Sequence, residues 1–123
     1  MSGAVFRGME PWGLDAGIIE CEGTALGLVD LHNEAGVTGV RIGPAPSGLT
    51  VELVFSLEGG RGCRLSFSGV TDLRVTRLDH HPDDADLFHD LSHVPVEGAS
   101  DFGITLAALQ VDLRAAGVEF TAG

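Results

Sequence analysis

The chain has 123 residues, 44% of them apolar, and sets seven arginines and no lysine against eighteen carboxylates for a net charge of −11. This length suits a single domain, 1–123, with one core. The charge argues against direct nucleic-acid binding, because phosphate contacts require Lys and Arg. No run reaches the roughly 18 to 20 apolar residues that cross a bilayer, and the opening MSGAVFRGMEPWGL has neither a basic leader nor a continuous apolar stretch, so a cytoplasmic location without membrane contact is expected.

In chain order, the first 25 residues are ambiguous, with GIIEC at 17–21 a candidate edge strand, and DLHNEA at 30–35 is a candidate short helix. GVTGVRI gives a short strand with Val40 and Ile42 inward, and GPAPSG connects it onward through residues that favour turns and cannot join a central ladder. In LTVELVFSL, Leu49, Val51, Leu53, Phe55 and Leu57 share one face while Thr50, Glu52 and Ser56 share the other, the period-2 pattern of a half-buried strand. EGGRG supplies a tight reversal, and Cys63, Leu65 and Phe67 resume the inward face, so the two runs predict a hairpin.

Gly69 marks a turn or bulge before TDLRVTRL, where Leu73 and Val75 oppose Asp72, Arg74 and Thr76. PDDADLFHDL at 82–91 is the second helix candidate, because Pro82 suits a first helical position and Asp83, Asp84 and Asp86 suit the positive end of a helix dipole. DFGITL and LQVDLRA then place Phe102, Ile104, Leu106, Leu109, Val111 and Leu113 inward as a closing hairpin. With eighteen glycines, these elements predict a mainly β protein, an antiparallel β-sandwich or barrel of about seven short strands with one or two short helices. Cys21 and Cys63 form no Cys-x-x-Cys motif and are expected to be buried, reduced thiols.

The segment LDHHPDDADLFHDLSH, 78–93, concentrates four of the five histidines. On a helix His89 and His93 would share a face, with Asp86 and Asp90 near enough to complete a ligand set. Zinc sites have rigid spacing, however, and the stretch lacks the twelve-residue calcium pattern with its central glycine. A solvated loop or short helix outranks the metal reading, and no cofactor is expected. Ser92 adjoins His93, but sequential neighbours seldom face each other productively, and no nucleophile elbow, phosphate loop or dinucleotide fingerprint is present. The enzyme alternative is a small metal-dependent catalyst drawing on His32, His80, His81, His89 and His93.

The succession of LHNEAGVTGVRI, LTVELVF, CRLSFSGVTDLRV, an irregular acidic stretch and FGITLAALQVDLRAAGVEF resembles a broad family of small bacterial β-proteins over about residues 28–120. In that family a His-Asp-like pair precedes a strand, and a hairpin strand ends in Phe-x-Gly-Val; here the pair is His32 and Asn33, and the ending is FSGV at 67–70. Several members resemble immunity proteins of polymorphic toxin systems. The resemblance implies a binding module acting as an immunity-type inhibitor of a toxin partner.

Charge placement agrees with that expectation. Seven acidic residues and no basic one lie between Asp79 and Asp101, while Arg61, Arg64, Arg74 and Arg77 fall just before. A basic protein partner, such as a toxin domain, is therefore expected to contact Asp83, Asp84, Asp86 and Asp90. A homo-oligomer joined through β-edges is the structural alternative.

Overall fold

In the computed structural model, which describes residues 3–46, 48–77, 88–106 and 108–123, twelve strands are present among the described residues. The alternation in 51–67 folds as expected, while Leu49, expected inward, is exposed: β6 (Gly48–Leu57) and β7 (Gly62–Val70) pair across a one-turn 3₁₀ reversal at Glu58–Gly60, burying Val51, Leu53, Phe55, Cys63, Leu65 and Phe67. β5 (Ala35–Ala45) pairs with β6, and β12 (Gly117–Ala122) with β7. β1 (Val5–Arg7) adds to β12 in parallel, so the first sheet runs β1-β12-β7-β6-β5. GPAPSG is not wholly a turn, because β5 continues through Pro44 to Ala45. Pro44 is tolerated there because β5 is an edge strand with one open side.

The second sheet holds β2 (Asp15–Ala16), β9 (Phe88–Val96), β10 (Ala99–Leu106), β11 (Leu109–Ala115) and β8 (Asp72–Arg77) in the order β2-β9-β10-β11-β8. The predicted closing hairpin is β10–β11, in register from Ser100 opposite Ala115 to Leu106 opposite Leu109. β3 (Glu20–Thr24) and β4 (Gly27–Asp30) form a separate ribbon. The inner faces of the two large sheets meet through Phe67 and Phe102, 5.1 Å between ring centres, and Phe55 and Phe88, 5.9 Å, within one core. Neither sheet closes on itself, and the strands outnumber the seven expected.

Two bulges explain what simple alternation cannot. Phe67 and Val70 are both buried although they are three apart, because the β6–β7 register jumps from Val51–Phe67 to Leu49–Val70. Gly69 sits in this bulge at φ 61°, where a Cβ would also come within 2.9 Å of the Ala116 methyl group. Likewise Phe88 and Leu91 are both buried because His89 is extra between the Phe88–Leu106 and Asp90–Thr105 pairs.

Both helix expectations require correction. Residues 31–34 are a turn between β4 and β5: the Asp30 carboxylate accepts from the backbone N–H groups of His32 and Asn33 and from the Asn33 side chain, which competes with helical pairing. In the 82–91 segment, 82–87 lie outside the described residues and 88–91 open strand β9, not a helix. Among the described residues, no helix is long and apolar enough to cross a membrane.

Candidate functional site

Cross-strand register turns the outer face of the second sheet into three rows. Asp90, Thr105, Gln110 and Thr76 lie opposite one another in the first; Ser92, Gly103, Asp112 and Arg74 form the second; Val94, Asp101, Arg114 and Asp72 form the third. The alternating residues of the same strands, Leu91, His93, Phe102, Ile104, Val111 and Leu113, are buried. Gly103 leaves a dip floored by backbone, since a Cβ there would lie 2.8 Å from Ser92 Oγ and 3.4 Å from an Asp112 carboxylate oxygen. The surrounding shallow groove, about 570 Å³, carries both signs of charge.

Arg114 donates to Asp101 through Nε at 2.7 Å and Nη2 at 3.1 Å, a two-point guanidinium–carboxylate pair. The hydrogen bonds from Arg114 hold the Asp101 carboxyl below its ordinary value, and the same contact, with help from Asp72, raises Arg114. Part of the acidic run is therefore neutralised inside the sheet. Asp90, by contrast, is exposed, and no ion pair to it occurs among the described residues. Asp83, Asp84 and Asp86 lie outside the described residues, as do His80 and His81.

The opposite end of this sheet is covered by the N-terminal segment. Gly3 N–H donates to Val96, Gly17 and Ile18 N–H both donate to the Leu91 carbonyl, and β2 pairs Asp15 with His93 and Ala16 with Ser92. Trp12 anchors the segment, donating from Nε1 to the Glu20 carbonyl at 2.9 Å and meeting Phe6 and Phe102 edge to face. Between the anchors runs a cleft of about 360 Å³ lined by Glu10, Trp12, Leu14, Asp15, Glu20 and Glu22 among others. Its four carboxylates are exposed, Leu14 is 74% exposed, and no arginine lines it. Sequence reasoning missed this site. The available signal was charge, for no basic residue occurs between Arg7 and Arg41.

His93, a metal candidate by sequence, is a buried clasp. Its Nδ1 lies 3.1 Å from the Gly13 carbonyl, which can only accept, so Nδ1 carries a proton, and Nε2 shares a hydrogen bond with the Ser100 hydroxyl at 2.8 Å. Ser100 Oγ in turn accepts from Ala4 N–H at 2.9 Å. The ring stacks on Phe102 at 5.2 Å and meets Phe6 edge-on at 5.4 Å. Both ring nitrogens are thus engaged, and metal ligation would have to break this network. The hydroxyl on His93 belongs to Ser100, not to its neighbour Ser92, and it is fully buried, which removes it from nucleophilic service.

His89 and His32 are brought together instead, ring centres 6.5 Å apart, and His32 Nδ1 donates to the Phe88 carbonyl at 2.6 Å, tying the 30–34 turn to β9. The side-chain amide of Asn33, aided by the backbone N–H groups of Asn33 and His32, holds Asp30 below its ordinary value. Among the described residues no group of three or more His, Cys, Asp or Glu side chains is gathered to hold a metal ion. Cys21 and Cys63 are buried free thiols; burial, with the nearby Cys63, pushes Cys21 up to about 12, and burial pushes Cys63 to about 11. Neither is a nucleophile at neutral pH. The chain matches no family model, no curated protein and no solved structure.

Proposed function

We propose that this protein is a protein-binding module that docks a basic partner against the β2–β9 end of its second sheet, and that it serves as an immunity-type inhibitor of a toxin. In this reading the two facing sheets act as a rigid sandwich scaffold, and the irregular segments at one end supply the contact. One observation carries it. Exposed carboxylates of Glu10, Asp15, Glu20 and Glu22 line the cleft, and the exposed Asp90 adjoins Leu91 in the chain, whose carbonyl accepts from the cleft residues Gly17 and Ile18. Asp83, Asp84 and Asp86 precede β9 in the sequence. A one-sign surface with an exposed leucine fits a cationic protein, because complementary charge accelerates encounter and rejects wrong partners.

The test compares wild-type protein with a variant carrying Asn at Asp83, Asp84, Asp86 and Asp90 as baits in lysate of the native host. A basic protein recovered by the wild type and lost by the variant, and whose toxicity on expression is relieved by co-expression of the wild type alone, is the expected result. Recovery that is indifferent to the four substitutions would move the contact away from this stretch; recovered partners whose activity is unaffected would remove the inhibitor role.

A further inference from the structure

The second sheet ends on its other side at β8, which none of the described residues covers. All of Asp72–Arg77 except the half-buried Leu73 is exposed, with Val75 at 44%. The β5 edge of the first sheet is protected by Pro44, by a bulge at Thr38 and by three glycines. β8 has no proline, no glycine and no bulge in its pairing with β11. An unprotected edge strand presents its free N–H and C=O groups to another strand, so what lies along it selects the partner.

We propose that β8 pairs with β8 of a second copy of this chain, antiparallel about a two-fold axis at Leu73, to form one continuous ten-stranded sheet. A two-fold perpendicular to the sheet keeps the outer faces together, so each residue opposes one on the same face, an even number of positions away. Centring on Arg74 would place Arg74 against the partner's Arg74. Centring on Val75 would place Arg74 against the partner's Thr76 and gain no ion pair. Centring on Leu73 places Asp72 against the partner's Arg74, and Arg74 against the partner's Asp72, while Leu73 meets the partner's Leu73 and Val75 meets the partner's Thr71 on the inner face.

The charges behind the edge make this register self-complementary in depth. Within one subunit the third row runs Asp101, Arg114, Asp72 and the second ends Asp112, Arg74. Joined at Leu73, the third row continues into the partner's Arg74 and the partner's Asp112, so sign alternates across five consecutive strands, and the two-fold repeats the row in reverse. Opposite charges directly across strands attract, and like charges repel. No such row forms in the Arg74-centred register.

Sedimentation velocity over a range of protein concentrations tests this, with circular dichroism confirming that each variant is folded. Wild type is expected to show a monomer–dimer equilibrium that weakens as salt rises. Arg74→Asp and Asp72→Arg each oppose like charges, and each should raise the dissociation constant about tenfold or more. The double variant Asp72→Arg/Arg74→Asp restores opposite pairs across the interface, while setting like charges beside Arg114 and Asp112 within each subunit, and should recover part of the lost association. A wild type that stays monomeric at millimolar concentration overturns the proposal, and so does a dimer indifferent to Arg74→Asp. A folded double variant that stays monomeric overturns the register.

Discussion

The two ends of the second sheet manage the same problem differently. At the β9 end, Gly3, β2, Gly17 and Ile18 lay irregular backbone along the strand, so its hydrogen-bonding groups are largely spent, and what faces outward is carboxylate from two parts of the chain. At the β8 end the backbone is regular and uncovered by described residues, and Asp72, Arg74 and Arg114 alternate in sign. The first edge offers shape and a single charge, which suits a foreign cationic protein. The second offers open main chain and a self-complementary pattern, which suits a copy of itself. In the two proposed readings it is edge chemistry, rather than the core the two ends share, that separates their partners.

The largest effect is expected from breaking the clasp that builds the covered edge. His93→Ala removes the ring that stacks on Phe102 and strands the Gly13 carbonyl and the Ser100 hydroxyl, at a cost of about 3 kcal/mol. Hydrogen exchange should locate the damage: amides of residues 3–18 lose protection first, while the β8–β11 ladder keeps its own. Equal loss at both ends would show that the N-terminal segment is an integral part of one cooperative unit. A smaller cost, about 2 kcal/mol, is expected from Gly8→Ala, because Gly8 adopts φ 72° and a Cβ there would run into the Phe120 carbonyl oxygen. Thermal unfolding measures it, and a neutral result would mean that the turn from β1 into the acidic segment relaxes freely.

The open edge was more legible in the sequence than the covered one. Strands with one wet and one buried face advertise themselves by alternation, so β6, β7, β10 and β11 were readable, and β8 was readable with Leu73 inward even though Val75 is left largely exposed. The covered end breaks that rule at each step. Phe88 and Leu91 are spaced as on a helix only because His89 bulges out. β1 pairs Val5 with Gly117 from the far end of the chain, and β2 is two residues long. These pairings rest on long-range register, which leaves no local period. His93 was visible as a polar residue in an acidic run, but its partners Gly13 and Ser100 are set by hairpin register and by the path of a glycine-containing loop, so its burial had no sequence signal. Charge was the exception: the carboxylates of the cleft were there to be counted.

Neutralising the cleft sharpens the contrast without touching the fold. With Gln at Glu10, Glu20 and Glu22 and Asn at Asp15, stability should change by no more than about 0.5 kcal/mol, since these side chains are exposed. Binding of an arginine-rich peptide, followed by stopped flow at low ionic strength, should slow by about tenfold, with the gap closing as salt rises. Substituting Asn for Asp72 at the other end should leave that rate unchanged. Equal slowing by both would mean that net charge, rather than its placement, draws the cation.

The smallest expected effect lies in the mixed-charge rows behind β8. Arg114 hydrogen bonds depress the Asp101 carboxyl in the folded state, so the pair stabilises the protein when Asp101 is ionised in both folded and unfolded chains. That contribution is fully present above the unfolded carboxylate value of about 3.9 and is lost as pH falls through the lower folded value. The Asp101 side chain is 44% exposed, so solvent screening leaves about 0.5 kcal/mol. Replacing Asp101 with Asn should therefore cost that much at neutral pH, the gap between variant and wild type holding steady down to about pH 5 and closing below pH 4. Denaturant unfolding of both proteins from pH 7 to pH 2 at low salt follows the gap directly. A gap that persists at pH 2 would assign the loss to packing in the sheet instead of charge. One that vanishes in high salt at pH 7 would agree with the ionic origin and with the alternating rows on which the β8 pairing depends.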